Sequence, residues 1–162
     1  MGLIENYGVF WKTDEVDWKP GGGHHFVLLG KDGERWCDFR KQDGLYVLYN
    51  QVGPYYVGRT KRLGERLRDH LTDHHADSWQ RFSWFGFKRV LKATDGWGIQ
   101  RLSKLSQSPT GTPREAIKDM EALLYQVVKP TANWQPSYPR GATRWTQTTR
   151  TERTDHFPWT VP

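Results

Sequence analysis

The chain has 162 residues, 36% of them hydrophobic and 26% charged, with nine tryptophans and a formal net charge of +6. Its aromatic bulk suits a packed core of one domain's size and argues against a disordered chain, while the excess of Lys and Arg favours a polyanionic partner without requiring one. The single cysteine, Cys37, rules out an internal disulfide framework.

Residues 1–18 have neither the basic start nor the apolar stretch of a secretory leader. Asn6 stands where an N-myristoylation signal wants serine or threonine, and no run reaches the roughly 18 apolar residues of a membrane span. The expected location is the cytoplasm, with no membrane contact. Within 1–42, "YGVFW" and "HFVLLG" read as short strands and "ERWCDF" as a third, separated by "KPGGGHH". "GGGHH" lacks the lysine and hydroxyl residue of a phosphate loop and reads as a turn.

"GLYVLYNQVGPYYVGRT", residues 44–60, reads as a hairpin broken at "NQVG". Strict alternation puts Leu45, Val47, Tyr49, Tyr55 and Val57 on one face. Gly44, Tyr46, Leu48, Tyr56 and Gly58 fall on the other, which twice sets a tyrosine beside a glycine. "TKRLGERLRDHLTDHH" follows as a helix with Leu63, Leu67 and Leu71 inward and Arg62, Arg66, His70 and His74 on an adjacent face. That face reads either as a solvated surface partnered by Glu65, Asp69 and Asp73 or as one turned to a ligand. "RFSWFGFKRVL" reads as a strand, and residues 92–111 as loop around a weakly helical "IQRLSKL".

"TPREAIKDMEALLYQVVKP" predicts a second helix, with Thr112 as N-cap, Pro113 in its first turn and Glu115 completing a capping box. Its apolar face is Ile117, Met120, Leu124, Val127 and Val128, with Glu121 at the margin. A carboxylate there wants a partner, which is either Lys118 or a hard divalent cation. The last stretch, 136–162, is rich in threonine and arginine, has no apolar period, and is expected to be extended or mobile unless it lies on a partner.

Together these residues resemble the signature of the GIY-YIG nuclease superfamily. "GLY" at 44–46 and "YVG" at 56–58 stand for its two halves, Arg66 and His70 follow in register, and Glu121 and the Asn133 that ends "KPTAN" complete the order. The resemblance spans about 43–135, so the chain divides into an N-terminal extension of short strands (1–42), a nuclease domain (43–135) and a basic tail (136–162). It implies an α/β fold: a small, mainly three-stranded antiparallel sheet flanked by helices, with the N-terminal runs adding strands.

The resemblance also implies hydrolysis of DNA phosphodiester bonds with one Mg2+ or Mn2+ on Glu121, with RNA an open alternative. Tyr46 is then the general base, helped by Tyr56 or His70, and Arg66 offers paired donors to the phosphorus transition state. Asn133 orients neighbouring groups, and Gly44 and Gly58 leave room for a sugar-phosphate backbone. Arg59, Arg62 and His74, with Arg140 and Arg144 of the tail, are the expected nucleic-acid contacts. "HLTDHH" as a metal site is the weaker reading, since no distant ligand set completes it. Restriction, phage defence or a mobile element is the expected setting. The alternatives are a structure-specific repair nuclease and a basic binding module without turnover, although binding alone does not need the tyrosine, arginine and glutamate set.

Overall fold

The computed structural model of the chain describes residues 2–19, 28–104, 112–129 and 135–157. In chain order the strands are β1 (Asn6–Lys12), β2 (Leu29–Asp32), β3 (Arg35–Asp38), β4 (Gly44–Tyr49), β5 (Pro54–Thr60), β6 (Arg81–Gly86), β7 (Val90–Thr94), β8 (Ile99–Leu102), β9 (Thr143–Arg144) and β10 (Thr146–Gln147). Helices α1 (Leu63–Asp69), α2 (Pro113–Val128) and α3 (Arg150–His156) complete the set. The fold is α/β, as expected, but it holds two five-stranded sheets instead of one mainly three-stranded sheet.

The first sheet runs β5-β4-β6-β1-β9 and the second β10-β2-β3-β8-β7. The hairpin β4–β5 and strand β6 are antiparallel neighbours, β1 lies antiparallel on β6, and β9 closes the far edge parallel to β1. The N-terminal runs and the basic tail therefore belong to the sheets themselves.

Register decides which side chains share a face. Tyr46 lies opposite both Gly58 and Trp84, and Leu48 opposite both Tyr56 and Phe82. On this face they pack with Trp11, with Leu63 and Leu67 of α1, and with Phe39 and Trp145. The other face carries Tyr7, Val9 and Phe85 and is covered by Leu123 and Val127 of α2. The two helices thus lie on opposite faces of the first sheet.

Four sequence expectations change. "RFSWFGFKRVL" is not one strand, because it leaves the first sheet at Gly86 and enters the second as β7. Buried Gln42 enforces the turn: its side chain accepts from the Lys88 N–H at 2.9 Å and donates to the Lys88 carbonyl at 3.2 Å. A Cβ on Gly86 would sit 2.5 Å from Gln42 Cγ, so only glycine leaves that side chain its place. "IQRL", read as weakly helical, is strand β8, lying parallel to β3. Helix α1 stops at Asp69 instead of running through the histidines.

The tail is folded. Trp145 is 1% exposed and its Nε1 donates to Asn6 Oδ1 at 2.9 Å. Thr149 and Glu152 form a capping box that starts α3, and buried Arg153 donates to the Thr148 carbonyl at 2.6 Å. The capping box expected at Thr112 and Glu115 is present. Among the described residues no helix is long and apolar enough to cross a membrane.

Candidate active site

The tyrosine–glycine pairs of the hairpin have a packing cause. A Cβ on Gly58 would sit 2.7 Å from Cε1 of Tyr46 and closer still to its hydroxyl, so the glycine makes room for the Tyr46 ring. A Cβ on Gly44 would sit 2.9 Å from the Phe85 carbonyl carbon, so that glycine lets β4 and β6 approach. Neither gap is left for a sugar-phosphate backbone. Nor does Tyr46 face solvent: it has no exposed surface and belongs to the core between sheet and α1.

What makes this core position polar is His70, just past the end of α1 and also fully buried. Its Nε2 lies 2.7 Å from the Tyr46 hydroxyl, and its Nδ1 lies 2.7 Å from Oδ2 of Asp73. The other oxygen of Asp73 accepts the backbone N–H of His75 at 2.8 Å. Trp79 Nε1 donates to the His70 carbonyl at 3.2 Å and so anchors the turn. A phenol and an imidazole, both fully buried, and a half-buried carboxylate therefore form one continuous hydrogen-bonded chain.

The outer end of the chain is aromatic and cationic. Tyr56 and Arg66 are partly exposed, and the Tyr56 and His70 rings meet edge to face at 5.3 Å. The Arg66 guanidinium interacts with the hydroxyls of both Tyr46 and Tyr56. A β-bulge adds a fourth aromatic group. Because Leu48 pairs with Tyr56 and Tyr49 with Pro54, Tyr55 is an extra residue. Strict alternation put Tyr55 on the far face, but its hydroxyl lies 3.0 Å from Nδ1 of His75. His74, exposed, has its ring 3.9 Å from that of His75.

Burial dominates the electrostatics. Desolvation pushes the Tyr46 phenol up to about 12, against Arg66, which favours the phenolate; the Tyr56 phenol adds to the rise. The hydrogen bond that Arg66 donates to the Tyr46 hydroxyl oxygen raises Arg66 above its ordinary value, so its charge is permanent. Desolvation, then the neighbouring His74 and His70, hold His75 below the ordinary histidine range. For Asp73 desolvation acts upward, but the His75 N–H and the His70 ring outweigh it and keep the carboxyl below its usual value.

The remaining expected residues do not join this group. Glu121 is on the solvent side of α2, between the 65% exposed Met120 and the buried Ala122. The sequence pattern pointed Met120, Leu124 and Val128 at the core. Instead Asp119, Ala122, Leu123, Gln126 and Val127 face inward, because the Asp119 carboxylate accepts the Leu3 N–H at 2.6 Å and Gln126 donates to the Ser137 carbonyl at 2.7 Å. Helix α2 lies on the face of the first sheet opposite Tyr46. Asn133 lies outside the described residues.

Arg59 is exposed opposite Leu45, and so points away from Tyr46. Arg62 precedes α1 and pairs with Glu65 at 2.9 Å. Arg140 and Arg144 are exposed near β9, at the edge of the sheet farthest from β5. The only group of described His, Cys, Asp and Glu side chains compact enough to suit a metal ion is His70, Asp73 and His75, with ligand atoms within 4.8 Å of one another. Both ring nitrogens of His70 and one of His75 are already engaged in hydrogen bonds, so this group is satisfied without an ion.

In the sequence Asp73 reads as a surface partner for the arginine stripe, or within "HLTDHH" as part of the weaker metal reading, although its place three residues after His70 suits a turn contact. Tyr55 was hidden by the bulge, which no local pattern announces. A family model described as GIY-YIG catalytic domain matches residues 42–95. No curated protein and no solved structure matches the chain.

Proposed function

From the match of residues 42–95 to the GIY-YIG catalytic domain, we propose that the chain is a GIY-YIG nuclease, an endonuclease hydrolysing DNA phosphodiester bonds with Mg2+ or Mn2+ as cofactor. The observation that carries the reading is the 2.7 Å contact between the buried Tyr46 hydroxyl and His70 Nε2, with Arg66 at its outer end. A phenol pushed up to about 12 is a poor base unless its own proton has somewhere to go. An imidazole within hydrogen-bond reach supplies that acceptor.

Arg66 offers its planar donors to the equatorial phosphate oxygens, where negative charge gathers in the transition state. Tyr56, partly exposed, is the hydroxyl that a docked phosphate and its attacking water meet first, and it passes the proton inward to Tyr46. A divalent cation, when bound, neutralises charge on the phosphate and the departing oxygen. Glu121 stands apart from this centre, so the cation requirement is tested by chelation. His74 and Arg62 flank the outer end and suit the neighbouring phosphates; Arg59, Arg140 and Arg144 suit more distant ones.

The test is cleavage of a panel of duplex, branched, single-stranded and modified DNA, with an RNA arm, under Mg2+ or Mn2+ and with chelator. Cleavage that stops with chelator and falls at least ~10²-fold in Tyr46→Phe is the expected result. A site-specific cut in duplex DNA fits restriction, phage defence or a mobile element; a cut only in branched DNA fits repair. DNA binding without any cleavage refutes the proposal and leaves a basic binding module.

A further inference from the structure

We infer that Asp73 is a positioning residue that fixes the tautomer of His70, so that Nε2 receives the proton of Tyr46. This rests on the nuclease reading of Tyr46, but the tautomer itself is a property of the free protein. An ionised carboxylate only accepts hydrogen bonds. One Asp73 oxygen is taken by the His75 N–H at 2.8 Å, and the other faces His70 Nδ1 at 2.7 Å. Nδ1 must therefore carry a hydrogen, which in a neutral imidazole leaves Nε2 as a bare acceptor. The Tyr46 hydroxyl, 2.7 Å away, donates to it. Desolvation acts to raise the Asp73 carboxyl, but the His75 and His70 hydrogen bonds keep it below its ordinary value, so it is ionised at neutral pH.

In the step that follows, Tyr46 gives its hydroxyl proton to Nε2, and the imidazolium forms beside the Asp73 carboxylate. The phenolate regains a proton through Tyr56 from the attacking water, whose oxygen bonds to phosphorus. The P–O3′ bond breaks with its electron pair on O3′, which solvent protonates, and His70 returns its proton to solvent. One water is consumed, and a phosphomonoester and an alcohol result. Around His70 the groups that share its charge are Tyr46 on β4, Tyr56 on β5, Arg66 on α1, and Asp73 and His75 on the turn.

Asp73→Asn makes a directed test. The His75 N–H still needs an acceptor, so the amide oxygen goes there and the NH2 group turns to His70 Nδ1. That drives the ring hydrogen onto Nε2, where it opposes the Tyr46 hydroxyl. The expected result is a fall in kcat of about 10²-fold or more with unchanged DNA affinity, partial recovery in Asp73→Glu, and no further loss when Tyr46→Phe is added. In parallel, 15N spectra of the His70 ring should show hydrogen on Nδ1 in the wild type and on Nε2 in Asp73→Asn.

A wild-type ring already protonated on Nε2 overturns the inference whether or not the protein cleaves DNA. A wild type that cleaves nothing but shows the Nδ1–H ring defeats the nuclease reading and leaves the tautomer assignment standing. Added zinc that shifts the His70 and His75 ring nitrogens together and switches on cleavage also overturns it, since the cluster is then a metal centre.

Discussion

Gly58→Ala inserts one methyl group where the Tyr46 ring lies. Gly58 is in a strand without positive φ, so alanine costs nothing in backbone strain and gains slightly in entropy. Everything adverse must come through Tyr46. The new Cβ would stand 2.7 Å from Cε1 of that ring, against an ordinary carbon–carbon contact of about 3.5–4.0 Å, so the ring must retreat by about 1 Å. Tyr46 has no exposed surface and nowhere empty to go. The retreat pulls its hydroxyl from the 2.7 Å contact with His70. Overpacking of this kind costs about 1–3 kcal/mol of stability, and a displacement near 1 Å at the chemistry costs about 10²-fold in rate. Plasmid nicking and thermal unfolding, measured on the same preparation, check both figures. A Gly58→Ala protein that nicks DNA at the wild-type rate with unchanged Tm refutes the packing account of the hairpin glycines.

Three other outcomes follow from the geometry. His75 is held below its ordinary value mainly by burial, so the unfolded chain takes up its proton first as the pH falls. Its contribution is intact above about pH 6.5 and is lost as the pH drops from there towards the lower folded value, so Tm should decline over that window. His75→Gln should flatten the decline, and an unchanged slope would assign it elsewhere. Trp145→Ala should cost about 3–5 kcal/mol in urea unfolding, because that residue is in the main core; a loss under 1 kcal/mol would return the tail to the surface. Glu121→Gln should leave cleavage within about twofold, since its side chain is exposed across the sheet from Tyr46; a ~10²-fold loss would mean that α2 repositions when DNA binds.

The site was legible where residue order and chemistry coincide, and obscure where packing chooses between equivalent patterns. Tyr46, Tyr56, Arg66 and His70 meet because hairpin and helix are consecutive, so their spacing in sequence is nearly their spacing in space. Tyr55 escaped because one extra residue in β5 reverses the alternation that every face assignment assumes. Glu121 misled because the apolar residues of α2 offer two faces, and its buried face was chosen by Asp119 and Gln126, polar residues satisfied by Leu3 and Ser137. The second sheet was out of reach because β3 pairs with β8 and β2 with β10, partners that no local pattern announces. Helix α3 does carry a local signal, since Thr149 and Glu152 have the same capping spacing as Thr112 and Glu115.

The place of Trp145 has a consequence for the order in which the polypeptide is made. Its backbone N–H bonds the Tyr7 carbonyl at 2.8 Å, and its indole bonds Asn6 across 139 positions of chain. Contacts of such long sequence separation close last and slowly. On a ribosome, β1 waits for β6 and then for β9, so the core beneath Tyr46 is completed only when synthesis has passed residue 145. A nascent chain stopped before that point holds the whole hairpin and α1 yet leaves Phe39 without the Trp145 ring and the Trp11 indole without the Trp145 carbonyl that accepts from it. The packed core beneath Tyr46 should therefore form abruptly, once residue 145 has been made, and a fragment trimmed to residues 43–135 should aggregate.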